Sequence, residues 1–169
     1  MLPDPLHPAI VHLPIALAIL IPGLALLGMI LISRGFLPVR AWGLVVVLQV
    51  LLLGSGWLAL ETGEDQEERI ERVVAESHVE NHEEAAERFL LIAGLGLLVL
   101  GTGLLPERAG TTGRVVGVLA AFGVFAAGIS VGHSGGDLVY KHGAASAYVD
   151  AVDARGTNGA DLSALYEDD

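Results

Sequence analysis

The 169-residue chain contains no cysteine. That excludes disulfides, thiolate metal sites, iron–sulfur clusters and covalent c-type haem attachment through this chain. Its apolar runs hold almost nothing polar at mid-depth; Gln49, Ser55, Thr102 and Ser130 are the exceptions. Ion and proton pathways are marked by intramembrane ionisable groups, so a transporter is not indicated. No nucleophile–base motif is present. Ser134 beside His133 does not make one, because sequence neighbours on a helix do not face each other. The stretch "GLGLLVLGTG" lies inside an apolar run and lacks the strand–glycine–helix context of a nucleotide site. The first apolar run has no basic stretch before it and is too long for the core of a signal peptide, so it is expected to stay as a signal anchor.

What the chain does have is apolar length. Hydrophobic residues make up 53% of it, and the mean hydropathy is +0.61. Four runs approach the roughly 20 residues that cross a bilayer, at about 9–32, 39–60, 86–105 and 114–133. The expected fold is an all-α, integral membrane four-helix bundle occupying 1–152, followed by an acidic, flexible tail at 153–169. Pro22 falls mid-span and is expected to kink the first helix, which neighbouring helices can accommodate.

Charge sets the expected orientation. Arg34, Arg40, Arg108 and Arg114 flank the short loops "SRGFLPVR" and "PERAGTTGR", whereas 61–88 carries eleven acids against three arginines. Positive residues in short loops mark the cytoplasmic side. The expected topology is therefore N-out and C-out, in a cytoplasmic (inner) membrane. An acidic outer surface suits a basic electron-transfer partner by electrostatic steering; no nucleic-acid partner is expected. Glycines in the spans suit close helix packing, including a helix-mediated oligomer.

With that topology all six histidines fall in the outer half. In "EERIERVVAESHVENHEEAAERFL", His78 and His82 lie with Val74, Ala85 and Phe89 on one helical stripe, and the acids fall opposite. No proline or glycine interrupts the chain between Gln66 and Ala93. The pattern predicts one helix over 65–105, a long extramembrane extension of the third span, with both histidines facing the bundle. His12 lies about one turn inside the first span, and an intramembrane ionisable residue is a functional-site candidate. His7 precedes Pro8 at a helix start and is expected to be at most a neighbour of the site. Gly135-Gly136 reads as a turn. Leu138, His142, Ala145, Val149 and Val152 then suggest a short amphipathic helix on the outer surface.

Four-helix bundles bind cofactors between facing helices, and haem iron accepts axial histidines. The first reading is a membrane b-type cytochrome holding haem b through His12 and His82, with His133 as the substitute ligand and electron transfer rather than catalysis as its role. The second is a site for zinc, copper or iron built from His78, His82, His12 and His142. The third is a cofactor-free scaffold subunit in which the histidines are interfacial polar residues.

"HPAIVHLPIAL" at the start, Thr62-Gly63 at the end of the second span, a histidine before the third and "GHSGGDLVYKHG" after the fourth resemble one family. It is the bacterial membrane family catalogued as domain of unknown function 2231, and the resemblance reaches to about Gly143. It implies a membrane fold and no established activity. Members are sometimes joined to c-type haem or other redox domains, which implies redox company.

Overall fold

The computed structural model describes residues 7–148. Its elements are α1 (His7–Ile10), α2 (His12–Ser33), a 3-10 turn (Val39–Trp42), α3 (Gly43–Ile70), α4 (Glu76–Thr102) and α5 (Glu107–Tyr140). Among the described residues there is no strand. Four helical segments, His7–Ser33, Val39–Ile70, Glu76–Thr102 and Glu107–Tyr140, are long and apolar enough to cross a bilayer. The chain is thus all-helical with four candidate spans. Val149, Val152 and the tail at 153–169 lie outside the described residues.

The helices form a ring in which α2 packs on α3, α3 on α4, α4 on α5 and α5 on α2. Leu17, Ile21 and Ala25 of α2 meet Val45 and Leu52 of α3, Phe89, Ala93 and Leu100 of α4, and Val118, Ala121 and Val124 of α5. The inward face of α4 runs through Val79, His82, Ala86, Phe89, Ala93, Gly96 and Leu100. Its steps alternate three and four residues, the heptad period that keeps one seam facing a neighbouring helix. Large apolar side chains such as Leu20, Leu51, Leu98 and Leu119 stay exposed. They make the outer wall of the ring, which suits hydrocarbon surroundings rather than water.

The two ends of the ring differ in length. A bilayer core of about 30 Å needs about 20 helical residues. α3 has 28 residues and α5 has 34, and their surplus lies at the end that carries the histidines. There Val74, Val79, Leu138 and Ala144 form a small second core, with Ile70 against it. The opposite, arginine-bearing end is closed by short turns. Gly35, at φ +75°, ends α2: the Gly35 N–H reaches the Ile32 carbonyl and the Phe36 N–H the Leu31 carbonyl, a Schellman pattern.

Two expectations need correction. The helix expected over 65–105 is broken: 65–70 belongs to α3, the chain turns at 71–75, and α4 starts at Glu76. The projection is therefore shared by α3 and α4. The turn needs no glycine or proline. The Val73 and Val74 N–H groups both bond the Ile70 carbonyl at 3.0 Å, and the reversal buries Val74 in the second core. Tertiary burial overrides local propensity here. The turn expected at Gly135-Gly136 is likewise absent, since α5 runs on to Tyr140. The chain leaves the helix later, at Gly143 with φ +74°. Leu138, His142 and Ala145 consequently do not share one surface helix: Leu138 is in α5, whereas the other two lie in the turns after it.

Candidate functional site

At the histidine end, α1, α3, α4 and α5 bring polar groups together above the apolar core. His7 is half-buried, and its Nδ1 lies 2.7 Å from the Ala59 carbonyl oxygen of α3. A carbonyl only accepts, so Nδ1 carries the proton and donates. In the neutral ring, Nε2 then keeps its lone pair. Gly63, one turn beyond Ala59, gives the ring its room: a methyl there would sit 3.3 Å from His7 Cε1 and Nδ1.

His82 is organised in the same way from the opposite side. Its Nδ1 lies 2.8 Å from Ser134 Oγ of α5, and that hydroxyl is 3.0 Å from the Val131 carbonyl. The single hydroxyl proton goes to the carbonyl, which cannot donate. Ser134 Oγ therefore accepts from His82 Nδ1–H, and again Nε2 is left with a lone pair. Gly135 provides the space, since a methyl on it would lie 3.0 Å from His82 Cε1. His82 stands beyond the apolar stretch of α4 that begins at residue 86. Burial pushes its pKa down, and charge on the neighbouring His7 pushes it further the same way.

The other histidines stand apart from this pair. His78 is exposed and stacks on His142, with ring centroids 3.7 Å apart and planes 19° from parallel. His133 is 75% exposed, with Nε2 3.9 Å from Asp137 Oδ2. Lys141 Nζ donates to the same Asp137 at 2.9 Å; that hydrogen bond and the nearby positive groups hold the carboxyl below its usual range against the opposing effect of burial. His12 lies on the exposed side of α2. Between α3 and α4, the Glu83 carboxyl is pushed up by partial burial and by Glu67 and Glu64 facing it.

Of the expected haem ligands, the structure brings only His82 to the bundle interior. His12 and His133 point outward, and the histidine whose charge bears on His82 is His7. The reason is angular. His7 and His12 are five residues apart, so they differ by about 140° around a helix, and only one can face inward. His133 and Ser134 differ by about 100°, and it is Ser134 that turns in. His78 and His82 differ by only about 40°, yet His82 centres the α4 seam and His78 sits at its edge, free to stack on His142. Among the described residues no three or more His, Asp or Glu side chains cluster as a metal-ligating group. The set His78, His82, His12 and His142 is thus not gathered at one point.

Sequence reasoning missed His7 as the inward histidine and Ser134 as its counterpart's anchor. The signal was available in the motifs. His7, Gly63, Ser134 and Gly135 come from "HPAIVHLP", the Thr62-Gly63 pair and "GHSGG", and those three stretches converge on this one site. Searches against protein-family models, curated proteins and solved structures find no match for this chain.

Proposed function

We propose that the histidine end is a bis-histidine haem b site in a membrane-bound electron-transfer protein, with His7 and His82 as the axial pair. One observation carries this reading. Two imidazoles on different helices at the same end of the bundle each donate Nδ1–H to a protein acceptor, leaving two Nε2 lone pairs uncommitted. Locking the distal ring nitrogen in this way fixes the tautomer and the ring orientation of a metal-ligating histidine.

The number of donors favours haem over a bare ion. A four-coordinate zinc site takes three or four protein ligands, and no such cluster occurs among the described residues. Haem supplies four nitrogens itself and asks the protein for two axial groups. When bound, it would supply reversible one-electron chemistry. The chain's own part is to hold and orient the imidazoles, with Ala59 and Ser134 as their anchors. Gly63 and Gly135 leave the space the rings occupy.

In this reading the arginine end faces the cytoplasm and the histidine end faces outward, in the inner membrane, following the positive-inside rule. The acids of α3 and α4, from Glu61 to Glu87, lie toward this end of the bundle and suit a basic redox partner. The resemblance to domain of unknown function 2231 rests on the motif residues that meet at this site.

The test is a visible spectrum of protein purified from haem-replete cells. A Soret band with sharp bands on reduction is expected. His7→Ala or His82→Ala should abolish or shift them, and His12→Ala and His133→Ala should leave them intact. Loss with His12→Ala but not with His7→Ala would overturn the assignment of the pair. A colourless preparation with no stoichiometric metal would leave the scaffold reading, in which the two hydrogen bonds simply satisfy buried imidazoles.

A further inference from the structure

The arginine end carries an unbalanced charge. Ion pairs join Arg72 with Glu68, Arg88 with Glu84, and Asp137 with His133 and Lys141, all at the histidine end. Arg34, Arg40, Arg108 and Arg114 have no ion-pair partner among the described residues. Arg114 is the sharpest case, being only 7% exposed. Its Nη1 donates to the Gly103 carbonyl at 2.7 Å and its Nη2 to Thr111 Oγ at 3.1 Å. Those bonds satisfy two of its donors and none of its charge. A buried charge without a counter-ion is costly.

Thr111 connects this buried cation to the surface. It lines an open cleft of about 590 Å³ together with Glu107, Arg108 and Thr112. A second cleft, of about 500 Å³, shares Arg108 and Thr112 and continues between α4 and α5 past Thr102 to Val99 and Val116. The two adjoin on the surface as open grooves that share Arg108 and Thr112. From Glu107 to Val116 is nine residues of α5, about 14 Å of depth at 1.5 Å per residue. The outer groove is lined by a guanidinium, a carboxylate and hydroxyls, and the inner one by valines on the wall that faces lipid.

From this geometry we infer that the α4–α5 cleft at the arginine end is a binding site for an anionic phospholipid. The phosphate sits between Arg108 and the Thr112 hydroxyl, within the field of Arg114; Thr111 Oγ is already committed, donating to the Glu107 carbonyl at 3.2 Å and accepting from Arg114 Nη2. One acyl chain follows Val99 and Val116 into the bilayer. Arginine suits this role because its planar fork matches phosphate oxygens. Glu107 at the outer rim favours a headgroup whose far end bears hydroxyls rather than further negative charge. The site lies at the opposite end from His7 and His82 and does not depend on the haem reading.

The test uses the full chain in detergent. Phosphatidylglycerol, phosphatidylcholine or inorganic phosphate is added, and retention is read by native mass spectrometry alongside the thermal midpoint. One retained phosphatidylglycerol and a raised midpoint are expected, with little from the other two. Arg108→Gln, at an exposed position, should weaken retention about tenfold, as loss of one charge-assisted hydrogen bond does. Arg40→Gln, at the same end but outside both clefts, should leave it unchanged. Ala109→Phe, which fills the apolar part, should reduce retention of lipid. Equal stabilisation by inorganic phosphate would make this a free-anion site and overturn the lipid assignment. Equal losses from Arg40→Gln and Arg108→Gln would show diffuse attraction and overturn the site itself.

Discussion

The two ends of the bundle use glycine for different purposes. At the arginine end, glycine lets main chains and one large ring approach. A methyl on Gly110 would collide with the Leu105 carbonyl, one on Gly113 with the Thr102 backbone at 2.6 Å, and one on Gly103 with the Trp42 indole. Trp42 is fully buried there and donates Nε1–H to the Leu100 carbonyl at 2.8 Å, plugging the ring of helices. At the histidine end, Gly63 and Gly135 face imidazoles instead, at 3.3 and 3.0 Å. The first arrangement fixes the packing of α4 and α5. The second makes room for chemistry. Close backbone approach leaves nothing that can yield, whereas a ring on a side chain can tilt.

The largest effect should therefore come from adding a methyl at the arginine end. Gly113→Ala forces apart two backbones, and overpacking of this kind costs about 1–3 kcal/mol or more. A drop of several degrees in the thermal midpoint, or failure to accumulate folded protein, is expected. Gly63→Ala and Gly135→Ala should cost the fold much less and instead disturb the ligand spectrum of the histidine site. If all three variants lose the same stability, the distinction between the two ends fails.

The sequence made the number of spans and the inward placement of His82 legible, because the 61–105 region alternates acids with a clear apolar stripe. It did not show which histidine of the first span faces in. α2 is apolar nearly all round, with polar residues almost absent between Pro14 and Ser33, so it has no face to read. His7 was resolved only by what it meets on α3. The break at 71–75 was equally silent. Its cause is Val74 burying itself against Leu138 and Ala144, residues more than sixty positions away. Gly135 and Gly136 misled in the opposite direction, because glycine in a membrane helix serves packing as readily as turning.

Gln49 supplies a middle term between the ends, with a moderate expected effect. It is fully buried on α3, and Nε2 donates to the Ala93 carbonyl at 3.0 Å. Its Oε1 has no partner, and among the described residues it is the one buried side-chain polar atom left so. A buried unsatisfied acceptor costs about 1–3 kcal/mol, more than a typical net hydrogen bond returns. Gln49→Leu should leave the stability, read from the thermal midpoint, unchanged or raise it by up to about 1–2 kcal/mol. A clear loss would mean that the Ala93 bond aligns α3 with α4 and that the midplane, like the arginine end, is held by specific contacts.

The smallest effect, and the one that separates the ends most cleanly, is the response to pH. The arginine end carries no histidine among the described residues. The histidine end has His82, whose pKa lies below the ordinary imidazole value near 6.5 because of burial and then His7. The unfolded chain therefore takes up a proton at this position before the folded chain does. Stability from this group is fully present above about pH 6.5 and is lost as the pH falls toward the folded pKa. Asp137, held low by Lys141, acts in a separate window: its contribution is present above the ordinary carboxylate range near pH 4 and is lost only on further acidification. Thermal midpoints measured from pH 8 to 5 should decline for the wild type on the acid side. His82→Gln should flatten that decline. His7→Gln should reduce it, because one of the two causes of the shift is gone and burial remains. A decline that survives in His82→Gln would place the titrating group elsewhere and overturn this assignment.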